Sequence, residues 1–440
     1  MTGLNQAKNP RLVIVTIEGL GTNLVGCYGG AIAPTKNWDR LASKSIVVDQ
    51  FWADTLRPID ILQSIWSGTH YATRQFSGEP ESLNTSAVPT LKPHISVLEK
   101  ILLATDVLSV FEESETDEFG DLLYFEPDAL IASETHYGSE QEGAQDVRAT
   151  QLEQLFQAAL GKWSVQLHQN PVLWIHASGL NGPWDAPYAY RQVMCDEGDP
   201  DPPVGRDRAE LQITEKTDPD EIFGHACCAG GQAIAMDEAW ELLEHAISEL
   251  GIADDCMLIL AGLGGYPMGE HGWVGNGLDS LFAETIHLPL IIRPGNRLDV
   301  GQRIPFIVQP HQLLETIERW MVPDSVPADL DLTEVMDLPP AESWPIVHQF
   351  GFALYQEQMH LIVPAWSYRW VKTNEGMEVK QLYAMPDDRW QQNEISQRAV
   401  STVELMEDLR SRWLSYFQNP STVTFHGTTR LPQELTHPFR

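Results

Sequence analysis

Arg11-Leu12-Val13-Ile14-Val15-Thr16-Ile17-Glu18-Gly19-Leu20-Gly21 is the stretch on which the reading of the fold turns. Its apolar run, Leu12 to Ile17, reads as a strand buried on both faces. The Gly-rich turn behind it marks a sharp exit from that strand. Downstream, Asp60 to Trp66 has helical spacing, and Gly68 suits the residue just past a helix end. Arg11 to Gly68 therefore reads as the wall and floor of a pocket shaped like an active site.

The same alternation continues outward. Asn37–Ala42 reads as a helix, and Ile46–Val48 with Phe51-Trp52 as a strand. Tyr71–Thr90 is polar and carries Pro89, so it reads as a loop. Ile95–Leu103 reads as a helix and Val107–Phe111 as a short strand. The acidic stretch Glu112–Asp121 reads as a solvated loop. Ala149–Leu167 is a helix and Pro171–His176 a buried strand. Cys195–Asp220 is rich in Asp, Pro and Glu and reads as a long surface excursion. Gln232–Leu250 is an amphipathic helix ended by Gly251, and Met257–Ala261 and Leu288–Ile292 are strands. Pro310–Met321 closes this part as a helix. Strands alternating with helices predict an α/β fold, with a mostly parallel central sheet covered on both faces.

After Pro340 the pattern changes. Met359–Val363, Tyr368–Thr373 and Gln381-Leu382-Tyr383 read as short antiparallel strands, and Thr402–Tyr416 as a helix. The predicted division is 1–345 for the α/β domain, 346–418 for a small C-terminal α+β subdomain, and 419–440 for a tail.

Composition narrows the function. With 28 basic against 62 acidic residues the chain carries a formal charge of -34. That surface repels nucleic acid and anionic membranes, whose recognition needs clustered Lys and Arg. The five cysteines have no metal-ligand spacing, and the adjacent Cys227-Cys228 do not form an ordinary bridge. They read as reduced thiols. The amino terminus shows no apolar signal-like run, and no stretch approaches the roughly 18 apolar residues of a membrane span. A cytoplasmic location is the expectation.

The ordered motifs resemble the sulfatase branch of the alkaline-phosphatase superfamily over nearly the whole chain. They are Ile17-Glu18-Gly19-Leu20 through Tyr28-Gly29, Pro34 to Ala42, Ser64 to Gly68, and Gly269-Glu270-His271-Gly272. Leu288 to Gly295, Gln381-Leu382-Tyr383 and Asp387-Asp388 complete the set. The resemblance implies the sulfatase-type sheet with a short closing sheet. It also implies a calcium-type site, held by an Asp pair after the first strand and by an Asp with an Asn or His after a later one. Those positions fall on Glu18 and Gly19, and on Leu263 and Gly264. The Cys/Ser nucleophile falls on Pro58, the motif's Pro on Asp60 and its Arg on Leu62; a shifted register would instead offer Thr55. The family's Gly-Lys-Trp-His segment falls near Phe111-Glu112-Glu113-Ser114, its pocket His on Asn181 and its later Lys on Asn276.

A hard divalent cation takes several oxygen ligands. Of the four metal positions only Glu18 offers a carboxylate, so no cofactor is expected. The expected function is a non-catalytic, sulfatase-like pseudoenzyme that binds an unknown ligand or protein partner or acts as a scaffold. The alternative is a sulfuric- or phosphoric-ester hydrolase with a rebuilt site using Glu18, Asp60 and His271. A third reading pairs the chain with an active paralogue or in an oligomer. His271 reads foremost as a loop residue bonding a carbonyl, His176 as a satisfied core histidine, and Trp174, Trp184 and Trp273 as packing residues.

Overall fold

The computed structural model describes residues 9–76, 101–107, 121–124 (backbone), 143–205, 208–275, 277–295, 301–322, 332, 349–418 and 431–436. The central sheet is built on β1 (Arg11–Glu18), whose interior is buried along its whole length. β1 pairs in parallel with β5 (Val172–Ala177) on one side and β6 (Cys256–Leu263) on the other. Beyond β5 lie β3 (Ile101–Thr105) and β4 (Asp121–Tyr124), both parallel. Beyond β6 lie β7 (Leu290–Pro294), which is antiparallel, then β2 (Ile46–Trp52) and the edge strand β8 (Gln302–Val308). His287-Leu288 adds a short antiparallel pairing to β2.

The pleat sends alternate β1 side chains to opposite faces. Leu12 and Ile14 join one hydrophobic cluster and Val13, Val15 and Ile17 the other. On the first face pack α2 (Pro58–Ser67) and α6 (Leu313–Met321). On the second pack α1 (Lys36–Ala42), α4 (Gln151–Ser164) and α5 (Pro219–Glu249). The mixed sheet between two helical layers is the predicted α/β class.

A second sheet, β9 to β12 (Gly351–Tyr355, Gln358–Val363, Trp366–Lys372, Glu378–Ala384), is an antiparallel meander. It packs with α3 (Tyr71–Phe76) and α7 (Val400–Gln418) around Phe352, Tyr368 and Phe417.

Several local readings are corrected. Tyr71–Phe76 is helical, where a loop was expected. Ile101–Leu103 opens a fully buried strand, where a helix end was expected; the two are alike in a short apolar run. β8 and β9 stand where the sequence pattern predicts no strand; β8 carries Pro305, which is tolerated because it runs at the sheet edge. α5 starts at Pro219, well before Gln232, so the excursion yields its last residues to a 31-residue helix. Part of the presumed tail, Gln433–Thr436, is a short helix whose Glu434 carbonyl accepts the Trp366 indole N–H. The expectations for 77–100, 108–120 and Asn276, the division at 345, and the tail at 419–430 and 437–440 lie outside the described residues.

Candidate functional site

Three parallel strands, β1, β5 and β6, end on the same edge of the sheet, so the residues just past them converge. Glu18 closes β1. Its Oε1 lies 3.3 Å from His176 Nε2, and its Oε2 accepts the Asn181 side-chain amide at 3.0 Å. His176 is wholly buried on β5, and Asn181 sits on the 3-10 turn Gly179–Asn181 that follows it. Parallel register sets Thr16 opposite His176, and Glu18 shares the face of Thr16 two residues on.

Behind His176 the chain of contacts continues. His176 Nδ1 is 3.0 Å from Thr16 Oγ1, which accepts the Trp174 indole N–H at 3.0 Å. The Thr16 hydroxyl also reaches the Ile175 carbonyl, at 3.4 Å, so both ring nitrogens of His176 lie within hydrogen-bond distance of a polar partner. Beside it, Asp106 is buried and accepts from the Ser178 backbone N–H, the Ser178 hydroxyl and the Gln151 amide. Burial pushes the Asp106 carboxyl above its usual range against those hydrogen bonds.

Next to Glu18 the backbone is closely packed. Gly19 has φ +73°, and a Cβ added there would stand 2.8 Å from Leu180 Cβ. Its N–H donates to the Leu263 carbonyl at 3.2 Å. Gly264 has φ +71°, and its added Cβ would meet Pro58 Cγ at 3.5 Å and the Leu56 carbonyl at 3.7 Å. Leu20, Leu180 and Leu263 are all fully buried. Gly19, Leu263, Gly264 and Pro58 are thus brought together as a packed apolar and backbone seam. Among the described residues, no group of three or more His, Cys, Asp or Glu side chains is placed to hold a metal ion.

Pro58 occupies the first turn of α2, where its missing N–H costs no hydrogen bond. Asp60, two residues on, is tied to Arg57 Nε at 2.6 Å. Burial outweighs Arg57 and Arg74 and holds the Asp60 carboxyl above the usual range. Thr55 is entirely buried. Asp54 Oδ2 accepts from Ser64 Oγ and the Tyr71 N–H, both at 2.7 Å.

His271 stands apart from the Glu18 cluster in its partners. Its Nδ1 is 2.5 Å from Glu284 Oε1, its Nε2 is 3.0 Å from the Gln391 carbonyl, and its ring stacks on Phe282. These contacts join the Gly269–Gly272 loop to the 282–284 segment and, through Gln391, to the segment after the small sheet. Trp174 and Trp184 are buried without exposure, and Trp273 is partly exposed. The pairing of Glu18 with His176 was not read from the sequence, because it needs the β1–β5 register.

No protein-family model matches the sequence, and no curated protein matches it. Solved structures do match in fold. BT4656, described in complex with its substrate D-glucosamine-2-N,6-O-disulfate, shares 14% identity at TM-score 0.67, over 94% of this chain and 99% of its own. BT1596, a 2-O GAG sulfatase, shares 13% at TM-score 0.64, over 95% of this chain and 94% of its own. The phosphonate monoester hydrolase of Agrobacterium radiobacter shares 14% at TM-score 0.65, over 96% and 100%. The chain shares the fold of these sulfatases and of the phosphonate monoester hydrolase.

Proposed function

We propose that this chain uses the sulfatase fold without sulfatase chemistry, as a non-catalytic protein that binds a ligand or partner near the closed seam. The carrying observation is the state of the metal cradle. At two of its four positions a glycine in left-handed backbone lies against a neighbour, and at a third Leu263 is fully buried. The fourth, Glu18, already has both oxygens engaged by His176 and Asn181. Several charged oxygens are what a hard cation requires. This residue set does not fit one. Pro58 offers no side-chain nucleophile where the resemblance puts the attacking group.

A second reading rests on the Glu18–His176–Thr16–Trp174 chain, which resembles the support a general base needs. In that reading Glu18, with 12% of its side chain exposed, takes a proton from water attacking a sulfate or phosphate ester.

The test is turnover of 4-nitrophenyl sulfate, phosphate and phenylphosphonate esters by purified protein, with and without calcium or magnesium. The proposal expects no release above a boiled control. Release that disappears in Glu18→Gln establishes the second reading and sinks the first.

A further inference from the structure

Cys195 and Cys227 lie far apart in sequence, yet their sulfurs are 3.8 Å apart. Cys195 caps the short 3-10 turn Gln192–Met194 and is partly exposed, while Cys227 is buried on α5. Their approach is built into the packing. Gly230 and Gly231, one turn along α5, leave room for the incoming segment to lie on the helix backbone. A Cβ at Gly230 would stand 2.8 Å from Met194 Cε, and one at Gly231 2.8 Å from Arg191 Cγ. Arg191 is itself fully buried. It donates to the carbonyls of Trp184, Pro203 and Gly205 at 2.9, 2.5 and 2.7 Å, which fixes both sides of the excursion. The third thiol, Cys228, lies on another side of the helix, 3.5 Å from Arg191 Nη1.

We infer that Cys195 and Cys227 are a dithiol site that low-molecular-weight disulfides of the glutathione class oxidise to an intramolecular bridge. Cys195 is the entry point, because it is the more exposed of the two. Its thiolate attacks one reagent sulfur, the reagent S–S bond breaks, and one thiol leaves with the proton that Cys195 lost. Cys227 then attacks Cys195 Sγ, and the second thiol leaves with the Cys227 proton. The two cysteines together lose two electrons, and the reagent is reduced to two thiols. Burial, together with the neighbouring Cys195, pushes the Cys227 thiol up, so the second step is the slow one at neutral pH. The bridge pins the start of the excursion to α5. Further along, the Arg208 guanidinium donates to the Asn181 carbonyl, so the pinned segment is the one that reaches the Glu18 cluster.

The experiment incubates the full-length protein with excess oxidised glutathione, blocks remaining thiols, and maps peptides by mass spectrometry without reduction. The expected result is a Cys195–Cys227 linked peptide that reducing agent removes. The melting temperature should rise on oxidation, because a cross-link restricts the unfolded chain. In Cys227→Ser the reaction should stop at a mixed disulfide on Cys195. Free Cys195 and Cys227 after incubation, a lasting mixed disulfide on Cys195 in the wild type, or a bridge to Cys228 would each overturn the inference.

Discussion

Glu18 and His176 meet across the β1–β5 pair, carboxylate to imidazole at 3.3 Å, at the edge of the sheet where the strand ends converge. The carboxylate that a metal site would need is thus committed to holding two neighbours in place. His176 presents a buried ring nitrogen, and Asn181 adds an amide donor. Removing Glu18 leaves both without that partner.

Glu18→Ala should destabilise the fold by about 2 kcal/mol, the usual cost of orphaning buried donors. Urea unfolding, read at constant slope, measures it. A variant as stable as the wild type would mean that water replaces the carboxylate and that the cluster is not structural.

Gly19→Asp places a second carboxylate at the end of the first strand, yet it should cost stability, roughly 1–3 kcal/mol, from left-handed backbone and the collision with Leu180. The variant should gain no stabilisation from calcium. A calcium-dependent rise in its melting temperature would show that the cradle needs only one ligand to work.

Asp237 on α5 accepts the backbone N–H groups of Asn37 and Trp38 at 3.0 and 2.7 Å, capping α1 from another helix. Asp237→Ala should lower stability by about 2 kcal/mol, as loss of a cap and of buried hydrogen bonds does. Hydrogen exchange should quicken at the start of α1 before it does in the sheet. Uniform quickening would argue against a local cap.

Burial by itself lowers the His271 pKa, but the hydrogen bond and charge of Glu284 outweigh it and hold the group above its ordinary 6.5. A folded value above the unfolded one means the native state binds the proton more tightly. The pair therefore contributes its full stability below pH 6.5, and that contribution fades as pH rises through the elevated folded value. His271→Gln should flatten the fall in stability over that window. An unchanged pH profile would show that the histidine does not titrate there.

Much of the fold was legible because its pieces announce themselves locally. The run Leu12–Ile17 alternates between two buried clusters, and Gly68, at φ +60°, ends α2 as its place in the sequence suggested. The first half of α5 was not legible. Its run of Gly, Ala and Cys around Cys227 to Gly231 has no large apolar stripe, because the helix there lies close against the Arg191 segment. At the site, the absence of polar side chains at Gly19, Gly264 and Pro58 could be read directly. What fills their space could not, since Leu180 and Pro58 arrive from other elements. The Glu18–His176 contact was hidden for the same reason: a strand-end histidine looks like core until the parallel register sets it beside Thr16.

The most direct measurement of the central claim is a melting-temperature titration of the purified protein with calcium and magnesium, alongside its metal content by elemental analysis. A native-state ligand must stabilise by an amount that grows with its concentration, roughly 2.7 kcal/mol at a hundredfold excess over Kd. The expected result is no stoichiometric ion and no shift with either. One bound ion per chain and a concentration-dependent rise would contradict the account and restore a metal-dependent hydrolase as the reading.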